Sequence, residues 1–115
     1  MKRYCFVLEL KEEFVKDFSE LHKNPWPEVL QALKDNGCNE HLVWIYKNFA
    51  IVFNESENMD SVFSKLDNVE IFQKWNVLES PWIKTGPSKD SEGKTICLEK
   101  IFDLNQQLNG ELKQY

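Results

Sequence analysis

From Arg3 to Leu10 the chain alternates, with Tyr4, Phe6, Leu8 and Leu10 on one side and Cys5, Val7 and Glu9 on the other. A period of two predicts a β-strand. At Lys11 the period lengthens: about 100° per residue places Phe14, Val15, Phe18, Leu21 and His22 within an arc of roughly 120°. This predicts a helix with His22 on its apolar side. The run Asn24-Pro25-Trp26-Pro27-Glu28 interrupts it, because proline lacks a backbone donor and pushes the preceding residue toward extended geometry. Proline also suits a helix's first turn, so a second helix is expected from Pro25 or Pro27. It presents Trp26, Val29, Leu30 and Leu33, and Gly37 is placed to close it in the left-handed conformation.

His41 to Tyr46 and Phe49 to Phe53 read as two strands joined at Lys47-Asn48, a connection short enough to require an antiparallel hairpin. Asn54 to Asp60 is polar and rich in turn formers. Met59, Val62, Phe63 and Leu66 then keep helical spacing, and beyond Asp67-Asn68 so do Ile71, Phe72, Trp75 and Leu78. Ser80 to Thr95 carries two prolines, two glycines and few apolar residues besides Trp82 and Ile83, which reads as a long surface loop. Ile96 to Phe102 is the expected last strand, and Asp103 to Tyr115 a polar end, frayed or briefly helical. Strand, helices, strand, strand, helices, strand is the ferredoxin-like βαββαβ order. The fold class is therefore α+β, with the helices on one face of a four-stranded antiparallel sheet. The aromatic residues in the strands require a cover for the other face, and a homodimer is the simplest one. Residues 1–104 form the expected domain and 105–115 a polar tail.

A chain of 115 residues holds one core and has no room for a second. With 42% hydrophobic and 29% charged residues it belongs with folded, soluble chains, and no apolar run is long enough for a membrane span. Met1-Lys-Arg-Tyr-Cys5 runs directly into strand pattern rather than a secretory leader, so a cytoplasmic location is expected. Cys5, Cys38 and Cys97 are odd in number, widely spaced and without a CxxC pair, which favours buried free thiols over disulfides or zinc. The net charge of −5 has no basic stripe, so nucleic acid is not an expected partner.

The two histidines lack metal-ligand spacing, and neither a glycine-rich phosphate loop nor a GxSxG elbow is present. No metal or cofactor is therefore expected. His22 remains, on an apolar helix face beside Phe18 and a rigid Pro-Trp-Pro corner. It is either an interior histidine bonded to a carbonyl or the acid–base group of a pocket for a small neutral ligand. His41 is either a rim residue or a pocket wall. Trp75 is either core or, with Asn76, a surface against which a pyranose packs. Glu20 and Glu28 are read as solvated surface.

These residues resemble the L-rhamnose mutarotases, small sugar epimerases that interconvert α and β anomers. The resemblance rests on His22 and Asn24-Pro25-Trp26-Pro27-Glu28, with Leu33-Lys34 and Gly37 following, where the family reads roughly His-x-x-x-Trp-Pro-Glu. It continues at Gln73-Lys74-Trp75, similar to Gln-Arg-Trp-Trp, and at Leu98-Glu99-Lys100-Ile101-Phe102, similar to a closing Glu-Val-Phe strand. It spans Lys2 to Leu104. What it implies is a dimeric ferredoxin-like barrel, a proton-donating His22, and sugar contacts at Phe18, His41, Trp75 and Asn76. Trp26, in the rigid corner, joins the expected contact set. Phe18 and His41 stand where tyrosines are typical, and Asn76 replaces a second tryptophan, so the expected substrate is a deoxyhexose such as L-rhamnose or L-fucose.

The expected reaction opens the pyranose by protonating its ring oxygen and removing the anomeric hydroxyl proton, work suited to a group titrating near neutrality. His22 supplies the first proton, and either water or His41 takes the second. The rival readings are a non-catalytic ferredoxin-like dimer that binds a sugar or metabolite, and a cofactor-free monooxygenase of the same fold with His22 as base.

Overall fold

The computed structural model describes residues 1–110. Its strands are β1 (Lys2–Leu10), β2 (Glu40–Tyr46), β3 (Phe49–Ser56) and β4 (Ile83–Thr85). Its helices are α1 (Val15–Lys23), α2 (Pro27–Asp35), α3 (Met59–Leu66), α4 (Glu70–Glu79) and α5 (Leu104–Leu108), with 3₁₀ turns at Glu12–Phe14 and Ser80–Trp82. The strands form one antiparallel sheet in the order β2-β3-β1-β4. This is the ferredoxin-like arrangement that the alternation of periods predicts.

Register follows the pleat. Phe6 faces Val52 and Leu8 faces Ala50 across β1 and β3, while His41 faces Asn54 and Val43 faces Val52 across β2 and β3. The even-numbered residues of β1 and β3 and the odd-numbered ones of β2 therefore share one side. That side carries Phe6, Leu10, Ala50 and Val52, all buried. Two clusters pack there: Val29, Leu33, Met59, Val62, Leu66 and Trp75 between the helices and the sheet, and Leu10, Phe18 and Ala50 at its other end. Full burial of one such leucine or phenylalanine contributes ~1.5–3 kcal/mol.

The helix ends show why each stops where it does. Pro27 occupies the first turn of α2. Gly37 has φ of 100°, its N–H bonds Lys34 O at 3.1 Å, and the Cys38 N–H bonds Leu33 O at 3.0 Å. These two bonds satisfy carbonyls that the ending helix leaves open. Asn58 caps α3, its Oδ1 accepting from the Ser61 N–H at 3.1 Å. In the β2–β3 hairpin, Lys47 takes the left-handed conformation, and Asn48 O accepts from the Leu10 N–H at 2.7 Å, tying the turn to the end of β1.

The structure corrects three expectations. Residues 96–102 do not form the last strand; β4 is Ile83–Thr85, inside the segment read as loop. The physical reason is burial. Trp82 and Ile83 pack on the cluster of Leu10, Phe18 and Ala50, and the Lys11 N–H bonds Trp82 O at 2.9 Å. Residues 96–102 instead run past β1 with the Leu98 N–H bonded to Cys5 O at 2.6 Å, leaving Ile101 and Phe102 73% and 65% exposed. Second, β3 runs on through Asn54 and Glu55 to Ser56 rather than turning at Asn54, because pairing with β1 extends to Lys2 opposite Ser56. Third, Leu30 and Leu78, both expected on apolar helix faces, are 50% and 39% exposed, while Glu79 turns inward.

Residues 86–95 do form an extended exposed segment, closed by a bridge between Lys89 and Thr95. The polar end is briefly helical at α5, capped by Asp103, and 111–115 lie outside the described residues. Among the described residues, no helix is long and apolar enough to cross a membrane.

Candidate active site

A cavity of ≈470 Å³ opens between the helices and the inner side of the sheet, and its walls include Phe18, His22, His41, Trp75, Asn76 and Glu79. Its volume falls within the range that holds a small ligand. A larger cleft of ≈860 Å³ lies between the start of β1 and residues 100–106, walled by Lys2, Arg3, Glu55, Lys100 and Asp103. Its walls hold no histidine, whereas the smaller cavity's hold two.

Helix α1 sets His22 one turn beyond Phe18, and two contacts lock its ring. Nδ1–H donates to Phe18 O at 2.8 Å, and the Phe18 ring lies 4.1 Å from it, tilted by 31°. Because a carbonyl only accepts, Nδ1 carries a proton and neutral His22 presents the lone pair of Nε2. Trp75 meets the imidazole edge-on at 5.4 Å, and Trp26 meets Trp75 edge-on at 5.4 Å from the far side. The rigid corner therefore buttresses the site through Trp75, and Trp26 stands behind the cavity wall rather than in it.

Phe18 and Trp75 are 2% and 6% exposed, so they shape the wall and leave little area for a ligand to cover. Asn76, on the exposed side of α4, reaches the cavity mouth. His41 projects from β2 with its Nδ1 bonded to Oδ1 of fully buried Asn54. That bond fixes its orientation; one side of His41 stays open to solvent while the rest is crowded by protein. Asn54 Nδ2 is buried without a partner.

Glu79 was not legible as a site residue. Helical spacing from Phe72 through Trp75 and Asn76 does lead to it, but a carboxylate at a helix end reads as solvated surface. Folding places its Oε2 3.7 Å from His22 Nε2, with only 13% of the Glu79 side chain and 22% of the His22 side chain exposed. Burial raises the Glu79 carboxyl from 4.5 to about 7, opposed by a hydrogen bond from the Trp75 side chain. Burial pushes His22 below 6.5, against the bond to Phe18 O, and nearby His41 adds to the lowering. His41 is likewise lowered by its surroundings, the Asn54 bond opposing. The cavity thus combines a carboxyl that titrates near neutrality with an imidazole that favours its neutral form. Among the described residues, no cluster of three or more His, Cys, Asp or Glu side chains is arranged to hold a metal ion.

A family model described as L-rhamnose mutarotase matches residues 3–104. Among similar proteins, the L-rhamnose mutarotase of Formosa agariphila is 30% identical over 103 residues, 89% of this chain and 97% of that one. The L-rhamnose mutarotase of Bacteroides thetaiotaomicron is 27% identical, covering 91% and 100%. The crystal structure of an L-rhamnose mutarotase from Formosa agariphila superposes with a TM-score of 0.67 at 25% identity, covering 90% of this chain and 99% of that one. Tetracenomycin F2 cyclase from Streptomyces glaucescens superposes with a TM-score of 0.62 at 9% identity, a likeness of fold alone.

Proposed function

This chain belongs to the L-rhamnose mutarotase family and is a sugar mutarotase, an isomerase acting on carbohydrates, and we propose that His22 is its proton donor and a deoxyhexose such as L-rhamnose or L-fucose its substrate. One observation carries the proposal: His22 faces a cavity of ligand size with Nδ1 tied to Phe18 O, so that Nε2 alone is free for the sugar. As imidazolium, Nε2–H protonates the ring oxygen as the C1–O5 bond breaks. On closure the same nitrogen takes the proton back. Positioned acid–base help of this kind contributes about 10²–10⁴-fold, and mutarotation, which already proceeds in water, asks for little more.

Phe18, His41, Trp75 and Asn76 define the sugar pocket in this reading, with Trp26 supporting Trp75 from behind. Phe18 brings no hydroxyl to the wall, whereas His41 and Asn76 bring polar groups, and those two are the candidates to choose between deoxyhexoses. A mispaired buried polar group can shift such a preference strongly.

A homodimer belongs to the same reading. It is supported by the outer sheet side, where Trp44 and Tyr46 are each 53% exposed and Leu42 and Phe49 each 40%. So much apolar area on one side of a sheet marks an interaction surface. Cys5, Cys38 and Cys97 are free thiols, which agrees with a cytoplasmic location, although only Cys38 is buried as expected and Cys5 and Cys97 are partly exposed. Residues 1–104 are taken as the catalytic domain, in step with the span of the family match.

The test is NMR exchange spectroscopy between the anomers of L-rhamnose and L-fucose. Wild type accelerates exchange of at least one of them, and His22→Ala loses about 10²-fold or more of that acceleration. Full activity in His22→Ala removes His22 from its role.

A further inference from the structure

The reaction moves two protons, one onto the ring oxygen and one off the anomeric hydroxyl, and His22 accounts for the first. The geometry points to Glu79 as the second acid–base group: its carboxylate takes the anomeric hydroxyl proton while His22 gives one to the ring oxygen. The inference rests on the reading of His22 above and adds to it a residue from another helix, 3.7 Å away at Oε2.

Three features support it. The two reacting oxygens of a pyranose are borne on one carbon, so the two catalytic atoms must be near neighbours facing one cavity, as Nε2 and Oε2 are. Both groups are also held. His22 is fixed by Phe18 O, and Glu79 by a hydrogen bond from the Trp75 side chain, which is the preorganisation that acid–base catalysis uses. Finally, Glu79 is an expensive residue to bury here. A carboxyl facing an imidazole in a dry site contributes little net stability, so use in catalysis explains its position better than structure does.

The protons balance within the pair. The O1–H bond breaks toward Glu79, and its electrons form the C1=O double bond. The C1–O5 pair moves onto the ring oxygen, which takes the proton from His22 Nε2. The open-chain aldehyde then faces a carboxylic acid and a neutral imidazole. After rotation about C1–C2, closure on the opposite carbonyl face reverses each transfer and restores carboxylate and imidazolium, the minor of the pair's two singly protonated forms, since burial favours the neutral state of both groups. The pair holds one proton in excess of its fully deprotonated form throughout, so no outside acid, base or oxidant enters.

Activity therefore requires one proton on the pair, and its pH profile is bell-shaped. The other titratable or charged groups facing this cavity are His41 from β2, Asp67 after α3 and Lys89 from the 86–95 segment. Glu79→Gln removes the acceptor but keeps the size. The expected result, from anomer exchange across about pH 5 to 9, is a kcat lower by ~10²-fold, a nearly unchanged KM, and loss of the decline on the acid side. Wild-type kcat and an intact bell in Glu79→Gln overturn the inference, as does a loss confined to His41→Gln.

A thermal melt establishes that Glu79→Gln is folded. If it is not, Glu79→Asp answers the same question, since a reduced kcat with the bell retained supports the inference and an unchanged kcat overturns it. Wild type that accelerates no anomer exchange removes the underlying reading as well, whereas active wild type with an indifferent Glu79 removes only the inference.

Discussion

At His22 and Glu79, burial favours the neutral form of two ordinary ionisable side chains. Carrying a carboxyl from 4.5 to about 7 corresponds to ~3 kcal/mol. The sign follows from which state holds the proton. Below pH 4.5 both states are protonated and Glu79 costs nothing; between 4.5 and 7 the unfolded chain releases a proton that the folded chain keeps, so stability falls as pH rises. Urea unfolding should therefore find Glu79→Gln more stable than wild type by up to ~3 kcal/mol above about pH 8, with the gain vanishing near pH 4. Equal stabilities at both extremes would show that Glu79 is not desolvated. The lowered His22 acts in the opposite window: its contribution is present above 6.5 and is lost as pH falls below that value, because the unfolded imidazole gains a proton that the folded one resists. The two windows overlap below 6.5 with opposite slopes, so wild-type stability changes less with pH there than either group alone would make it.

At the scale of elements, the ends of α2 and α3 depend on single residues. Gly37 holds φ of 100°, and an added Cβ would meet Val62 Cγ2 at 3.6 Å, an ordinary contact. Backbone strain rather than crowding is thus the cost of Gly37→Ala, roughly 1–2 kcal/mol. Asn58→Ala removes the Oδ1 acceptor of the Ser61 N–H and should cost ~1 kcal/mol. Both are read as shifts of the urea midpoint with unchanged slope. The Gly37 closure, the Pro27 start and the hairpin at Lys47-Asn48 were legible in the sequence because each depends on a few adjacent residues. β4 was not. Three residues carry too little alternation to signal a strand, and Ile83–Thr85 is one only because Trp82 and Ile83 find Leu10, Phe18 and Ala50 beneath them. The run at residues 96–102 had the composition of a strand but lies on no core in the folded chain.

For the whole molecule, the exposed outer side of the sheet is the feature that assembly must answer. Trp44 lies on it, on the edge strand β2, with 53% exposure, and Trp44→Asp should convert a dimer to a monomer in sedimentation or light scattering. A wild-type chain of monomer mass at micromolar concentration removes the dimer proposal. Taken by itself, the sequence determined what periodicity and backbone chemistry carry: the order of β1 to α4, most of the apolar positions on the helix faces, the sheet order implied by βαββαβ, and His22 beside Phe18 on one side of α1. These are local properties, set by 3.6- and 2-residue repeats and by proline and glycine. Only the tertiary structure decided which distant residues meet. It placed Glu79 against His22, set buried Asn54 behind His41, moved Trp26 behind Trp75, and gave the fourth strand to Ile83 rather than to Ile96. Each outcome depends on how the helices sit on the sheet, a balance of burial over the whole core that no local repeat encodes.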